Sequence, residues 1–447
     1  MKIVAQAVCD YVNKINGKSP RAKMAVGYDT RFLSDKYAEI IACVLAANGI
    51  KALLSKSFIP TPALSLAAGK QGLSGGIMVT ASHNPAEFNG IKFKTNLGSS
   101  AGPEITKKIE AYIGKNKVKS LPFKTAMTKG LIEETDSLSA YKKNIRSFLD
   151  MKALNKSRLN ILIDSMHGAS NAIILDILKS SGIKVTILRE KPRVDFGNVP
   201  PEPIAKNLKQ LTSLMKEGGY DIGLATDGDG DRLAAVAPGG RFITSSEVFG
   251  LLIIYFTRYK KKSIAIGKTI SSSNLINRIC ENYNLDLSET PIGFKYLADL
   301  MIKEKVSLAG EESGGIGIRN YLPDRDGLLI QLLLLEMISK TGKSIGQLLG
   351  EMEKNFGRFY YQRADFKFPG QTREKLKSKI KNYRSKTIVN KKIKEIKEID
   401  GIKFILEDGS WLLFRFSGTE PILRIYVESN TKKSTSAMIN FAANLVK

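Results

Sequence analysis

A buried strand, a loop and an amphipathic helix begin three times in this chain, and that repetition limits the fold more than any single residue does. The first start is Met24-Ala25-Val26-Gly27-Tyr28, the turn Asp29-Thr30-Arg31 and a helix over about residues 35–48 closed by Gly49. The second is a strand at 159–164, a loop with His167-Gly168, a helix over 171–180 and a strand at 184–188. The third is Ser263-Ile264-Ala265-Ile266-Gly267, with a helix from about residue 274. Strands alternating with helices of this length demand right-handed crossovers and a mostly parallel sheet. The expectation is three successive related α/β domains with mixed, mostly parallel sheets, over residues 1–148, 155–256 and 257–362, the polar stretch 141–157 marking the first boundary. Residues 363–447 depart from the pattern. A lysine-rich helix, a strand pair turning at Asp408-Gly409, a third strand at 423–428 and a closing helix predict a C-terminal α+β domain with antiparallel hairpins.

Composition excludes several classes of function. No apolar run is long enough to cross a membrane, and the first residues lack the apolar core of a signal peptide. Cys9, Cys43 and Cys280 are far apart and lack metal spacing, so they read as reduced residues of a cytoplasmic protein. The net charge of +26 could recruit nucleic acid or steer anionic substrates. Its local concentrations, at 260–262, 375–381 and 391–397, accompany no nucleic-acid motif and read as solvated helix faces.

Four loops carry chemistry. Thr80-Ala81-Ser82-His83-Asn84-Pro85 follows the short apolar run 77–79 and precedes a probable strand at 91–94 that bears Lys92. A hydroxyl presented at a strand end is a candidate nucleophile or phosphate carrier, or else a plain turn former. Asp227-Gly228-Asp229-Gly230-Asp231-Arg232 puts three carboxylates at alternate positions. Glycines free that backbone to converge on a hard cation, with Arg232 positioned to balance charge. Gly310-Glu311-Glu312-Ser313-Gly314-Gly315 supplies paired acceptors of the kind sugar hydroxyls need, and Lys295 sits on a Gly-Phe-Lys turn where burial could make it a proton carrier. Arg415-Phe416-Ser417-Gly418-Thr419-Glu420-Pro421, with Arg424 beyond, is an anion site by composition.

Taken together and in this order, the four loops resemble those of the α-D-phosphohexomutase superfamily, which includes phosphoglucomutase, phosphomannomutase and phosphoglucosamine mutase. The resemblance implies a phosphohexomutase acting on hexose 1- and 6-phosphates, with glucose preferred and mannose possible. Ser82 would be the phosphoserine, and Asp227, Asp229 and Asp231 would hold one Mg²⁺ per chain together with a phosphate oxygen on Ser82. Glu311 and Ser313 would bind sugar hydroxyls. Arg415, Ser417, Gly418, Thr419 and Arg424 would hold the phosphate that is not reacting, with Arg232 also on the substrate side. Lys295 would be the general acid/base, and His83, Lys92 and Arg31 further active-site residues. Glucose 1,6-bisphosphate is implied as intermediate and activator. No nucleic-acid or membrane partner is expected, and the chain should be a monomer or homodimer. Members of the superfamily usually open with a strand and a Gly-Thr-Ser-Gly-x-Arg-Gly type loop, whereas this sequence begins inside the following helix, at residues 2–12. The alternative expectation is therefore an impaired or non-catalytic sugar-phosphate-binding homologue; a second is a phosphoglucosamine mutase.

Overall fold

Each of the three strand–loop–helix starts becomes an interior strand of its own five-stranded sheet in the computed structural model, which describes residues 1–17, 22–70, 72–170, 172–369, 372–383, 385–417 and 421–446. The first sheet contains β1 (Lys23–Tyr28), β2 (Lys51–Ser55), β3 (Gly76–Val79), β4 (Ile91–Lys94) and β5 (Ile132–Thr135), in the order β4-β3-β1-β2-β5. The second contains β6 (Asn160–Asp164), β7 (Lys184–Leu188), β8 (Ile222–Thr226), β9 (Leu233–Ala237) and β10 (Arg241–Ile243), in the order β10-β9-β8-β6-β7. The third contains β11 (Ile266–Thr269), β12 (Leu287–Thr290), β13 (Leu308–Gly310), β14 (Ile316–Ile318) and β15 (Leu322–Arg325), in the order β12-β11-β13-β14-β15.

The three sheets share one plan. In each, the first strand lies between the second and the third, all parallel, and the third then pairs with an antiparallel fourth. Burial explains the sequence signature. β3, β8 and β9 are buried along their whole length because helices cover both faces, so they read as unbroken apolar runs rather than alternating ones.

One helix ties the second and third domains together. Residues Gly327–Thr341 run Gly-Leu-Leu-Ile-Gln-Leu-Leu-Leu-Leu-Glu-Met-Ile-Ser-Lys-Thr and are buried almost all round. A helix without a polar face needs neighbours on every side. It packs against β8 and β9 of the second sheet. Its start is capped by Asp326, whose side chain accepts from Leu329 N–H at 2.9 Å. Its one buried carboxylate, Glu336, accepts from Tyr255 Oη at 2.6 Å and pairs with Lys260 at 2.8 Å.

The fourth domain is an antiparallel sheet of β16 (Tyr360–Lys367), β17 (Thr387–Ile388), β18 (Lys391–Lys397), β19 (Ile402–Leu406), β20 (Trp411–Phe416) and β21 (Ile422–Ser429), in the order β16-β21-β20-β19-β18-β17. The helices Arg373–Lys381 and Lys432–Val446 pack on it around a core of its own, including Phe404, Phe414, Ile425 and Met438.

One sequence expectation needs correction. The lysine run at 391–397 is not a helix face but the strand β18, with Lys392 and Lys394 exposed and Lys391 and Lys397 half-buried. Edge-side lysines of this kind discourage strand-to-strand aggregation. Most of the polar stretch at 141–157 lies in two helices, Ser137–Phe148 and Met151–Lys156, with Tyr141 and Ile145 fully buried. Among the described residues no helix is long and apolar enough to cross a membrane.

Candidate active site

Three of the motifs occupy equivalent places. Residues 80–85, 227–232 and 310–315 each lie at the end of the third strand of their sheet, where the chain turns back into the antiparallel fourth. Ends of parallel strands are where open α/β sheets bind ligands. The shared topology therefore aims three chemically different loops at one cleft.

Ser82 is held in an unusual backbone conformation, φ 55°. A non-glycine residue there costs about 1–3 kcal/mol and persists only if its surroundings impose it. They do. Thr80 Oγ1 accepts from Ser82 N–H at 2.8 Å and donates to Asp29 Oδ2 at 2.6 Å. Arg31 donates to four backbone carbonyls of the loop: Ser82 at 2.7 Å, Asn84 at 2.6 Å, Pro85 at 2.8 Å and Phe88 at 2.9 Å. Its Nε pairs with Asp29 at 3.2 Å. Burial pushes the Asp29 carboxyl up to about 6 against the pull of Thr80 and Arg31. Arg31 thus shapes the loop through its backbone. His83 Nδ1 lies 3.4 Å from Ser82 Oγ, and burial, then the Arg232 charge, pull the imidazole down to about 3, so it is neutral.

The acidic loop meets Ser82 directly: Ser82 Oγ donates to Asp227 Oδ2 at 3.0 Å. Asp227, Asp229 and Asp231 are essentially inaccessible, and one oxygen of each lies within 4.8 Å of the others. Gly230 adopts φ 72°, and a Cβ there would run into Ser170 Oγ, so the turn that brings the carboxylates together needs glycine. Thr61 Oγ1 donates to Asp229 Oδ2. Lys92 Nζ lies 2.6 Å from Asp229 Oδ2 and 2.9 Å from Asp231 Oδ2. Arg232 donates its backbone N–H to Asp227 Oδ1 at 3.1 Å, while its Nε stands 3.9 Å from both Asp227 and Asp231.

The charges sort the three carboxylates. Burial and the charges of Asp229 and Asp231 push Asp227 well up. Burial and Asp231 also push Asp229 up, but Lys92 and Thr61 outweigh them and it ends low. Burial acts on Asp231 too, yet Arg325, Lys92 and Arg232 hold it well below the carboxylate range. Asp229 Oδ1 and Asp231 Oδ1 are buried with no hydrogen-bond partner among the described residues. Orphaned carboxylate oxygens beside a hydroxyl and a third carboxylate are the donor set a hard divalent cation requires, so the residues present fit a metal.

The third motif enters through a residue that none of the sequence motifs contains. Arg325, at the end of β15, pairs with Asp231 Oδ2 at 2.6 Å through one Nη and with Glu311 Oε2 at 2.9 Å through the other. Next to it, Asp324 forms a buried ion pair with Lys94 of β4 at 2.5 Å, and Ser100 Oγ donates to the same oxygen at 3.0 Å. Glu311 is thereby linked to the acidic triad, and Ser313 lies two residues on, half-buried. Lys295 is half-buried in the first turn of the helix Phe294–Ile302, less enclosed than expected. It lines a cavity of about 500 Å³ together with Lys92 and Arg325.

Arg415 and Arg424 stand directly opposite each other in the pairing of β20 and β21, and Ser417 is buried at the end of β20. Arg415 Nε ion-pairs with Asp400 at 2.8 Å. Gly418 and Thr419 lie outside the described residues.

Models of the phosphoglucomutase/phosphomannomutase family match the chain along almost its whole length. The α/β/α domain I model matches residues 1–120, domain II 139–240, domain III 244–356 and the C-terminal domain 373–444. The chain belongs to this family. It is an intramolecular phosphotransferase of the isomerase class. A phosphoglucomutase/phosphomannomutase of Thermococcus kodakarensis is 29% identical over 96% of this chain and 90% of the relative. A phosphoglucosamine/phosphogalactosamine mutase of Sulfurisphaera tokodaii is also 29% identical, over 95% of this chain and 91% of its own. A solved structure from Thermus thermophilus, described as a candidate phosphomannomutase, superposes with a TM-score of 0.86 at 31% identity and covers 99% of this chain and 94% of that one. Equal identity to relatives named for different sugars leaves the sugar to be argued from the site.

Several residues that build this phosphohexomutase cleft have no motif of their own: Asp29, Thr61, Lys94, Asp324 and Arg325. The available signal for the last two was the run Asp324-Arg325-Asp326, three charges where a strand gives way to a mostly apolar helix.

Proposed function

We propose that this phosphohexomutase interconverts hexose 1-phosphates and hexose 6-phosphates through a phosphoserine at Ser82, with glucose phosphates preferred and mannose phosphates accepted. The observation that carries the reading is Ser82 Oγ at 3.0 Å from Asp227, at the mouth of a buried triad whose other two members keep orphaned oxygens. In the first half-reaction a sugar hydroxyl oxygen bonds to the phosphorus and the bond from phosphorus to Ser82 Oγ breaks. The hexose 1,6-bisphosphate then reorients, and Ser82 Oγ takes the phosphoryl group from the other end. The hydroxyl hydrogen given up at one sugar oxygen is restored at the other, with Lys295 as its carrier, so protons balance over the cycle.

Phosphoryl transfer needs alignment and charge stabilisation more than covalent help. Arg31 fixes the loop, while Lys92 and Arg325 supply positive charge beside the triad. Asp227, Asp229 and Asp231 would hold Mg²⁺, which favours carboxylate and phosphate oxygens and would neutralise charge on the phosphoryl group. Glu311 and Ser313 hydrogen-bond sugar hydroxyls. Arg415, Ser417, Gly418, Thr419 and Arg424 hold the distal phosphate, and Arg232 contributes on the same side. Glucose 1,6-bisphosphate primes the serine.

Coupled assays with glucose 1-phosphate, mannose 1-phosphate and glucosamine 6-phosphate test the sugar. The glucose substrate should turn over severalfold faster. Equal rates with mannose would remove the preference, and turnover of the amino sugar alone would favour the function named for the hexosamine relative.

A further inference from the structure

Asp400 joins two parts of the cleft that lie in different domains. One oxygen, Oδ2, accepts from Arg415 Nε of the fourth domain at 2.8 Å and from the backbone N–H of Ile292 in the third domain at 3.0 Å. Ile292 belongs to the Pro291-Ile292-Gly293 segment that leads into the helix carrying Lys295. The same junction has a second anchor: the Ile292 side chain packs on the cluster of Ile270, Trp411, Leu413 and Tyr426, which spans both domains. Asp400 itself is placed rigidly. It is followed by Gly401 at φ 99°, where a Cβ would run into the Phe414 carbonyl, so the turn between β18 and β19 is pressed against the strand that carries Arg415.

We infer that Asp400 is a positioning residue that sets the phosphate clamp and the Lys295 turn at a fixed separation, so that a seated distal phosphate and a placed proton carrier come together. The inference rests on the assignment of Arg415 to the clamp and of Lys295 to proton transfer. The chemistry favours this division of labour. A guanidinium bound through Nε can still turn its Nη groups to meet an anion side-on, the geometry that phosphate selects. A carboxylate that also caps a backbone N–H cannot move to follow the arginine without releasing the loop. Asp400 touches neither substrate nor reacting atoms, so its effect passes through Arg415 and Ile292.

Steady-state kinetics on the full chain with glucose 1-phosphate test this by double-mutant cycles. Asp400→Asn should raise KM and lower kcat, each on the order of tenfold, whereas Glu398→Gln, on the exposed Lys381–Glu398 pair close by, should change neither. In a Lys295→Met background the kcat effect of Asp400→Asn should disappear, and in an Arg415→Lys background the KM effect should disappear. Additive losses in both backgrounds, or a fall in melting temperature with kcat and KM intact, would overturn the positioning role and leave a merely structural contact. If Arg415→Lys and Lys295→Met by themselves change neither constant, the assignment of the clamp and proton carrier fails instead.

Discussion

Ser82 Oγ donates to Asp227 Oδ2 at 3.0 Å, although 145 residues and a domain boundary separate the two. The contact exists because each side is held independently: the serine by Arg31 and Thr80, the carboxylate by a glycine-rich turn at an equivalent strand end. Active sites assembled between rigid elements depend on such preset approach. The first two domains meet there, and the third reaches the same point through Arg325.

Arg325 should be needed for catalysis although it lies in no recognised motif. Arg325→Gln leaves Asp231 without one of its cations and uncouples Glu311 from the triad. A loss of about 10²-fold in kcat/KM is expected, on the scale of removing one preorganised charge contact. Unchanged kcat/KM for glucose 1-phosphate would show that Lys92 alone neutralises the site.

The Lys94–Asp324 pair should matter to stability out of proportion to its size. Both groups are almost wholly buried, and burial pulls the Lys94 ammonium down while Asp324 opposes it. Lys94→Met leaves a buried, unpaired carboxylate and should cost about 3–5 kcal/mol in urea unfolding. Adding Asp324→Leu should recover most of that loss. A double variant no more stable than the single one would mean the pair is not the cause.

A pH signature is expected from Asp326. Burial pushes its carboxyl up to about 6, against bonds from Leu329 N–H, Tyr141 and Tyr321. Between the ordinary value near 3.8 and about 6 the folded chain therefore binds more protons than the unfolded one. Stability from this group is complete at low pH and is lost as pH rises through that window. The loss is about 3 kcal/mol by linkage. Asp326→Asn keeps a capping acceptor and has no such titration, so its stability relative to the parent should improve by about that amount between pH 4 and pH 7. Denaturant unfolding at the two pH values checks it, and a difference independent of pH would contradict it.

Much of the fold could be read from the sequence because buried parallel strands leave long apolar runs punctuated by turns. The three starts became interior parallel strands of the three sheets, and the loops 80–85, 227–232 and 310–315 lie where strand ends should place ligands. What escaped the sequence reading was pairing across domains. Nothing in the local pattern around Arg325 or Lys94 says which carboxylate each will meet, because the partners lie 94 and 230 residues away. The strand β18 escaped for a different reason. Its only apolar residues, Ile393 and Ile396, stand three apart, and Ile396 is exposed, so no alternating apolar pattern marks the strand.

The most direct measurement is the intact mass of the chain, loaded with Mg²⁺ and incubated with glucose 1,6-bisphosphate, followed by peptide mapping. The wild-type chain should gain one phosphoryl group on Ser82, Ser82→Ala should gain none, and the phosphorylated form should transfer its group to glucose 6-phosphate. A chain that interconverts glucose 1-phosphate and glucose 6-phosphate without label on Ser82, or a Ser82→Ala variant that retains full turnover, would contradict the account.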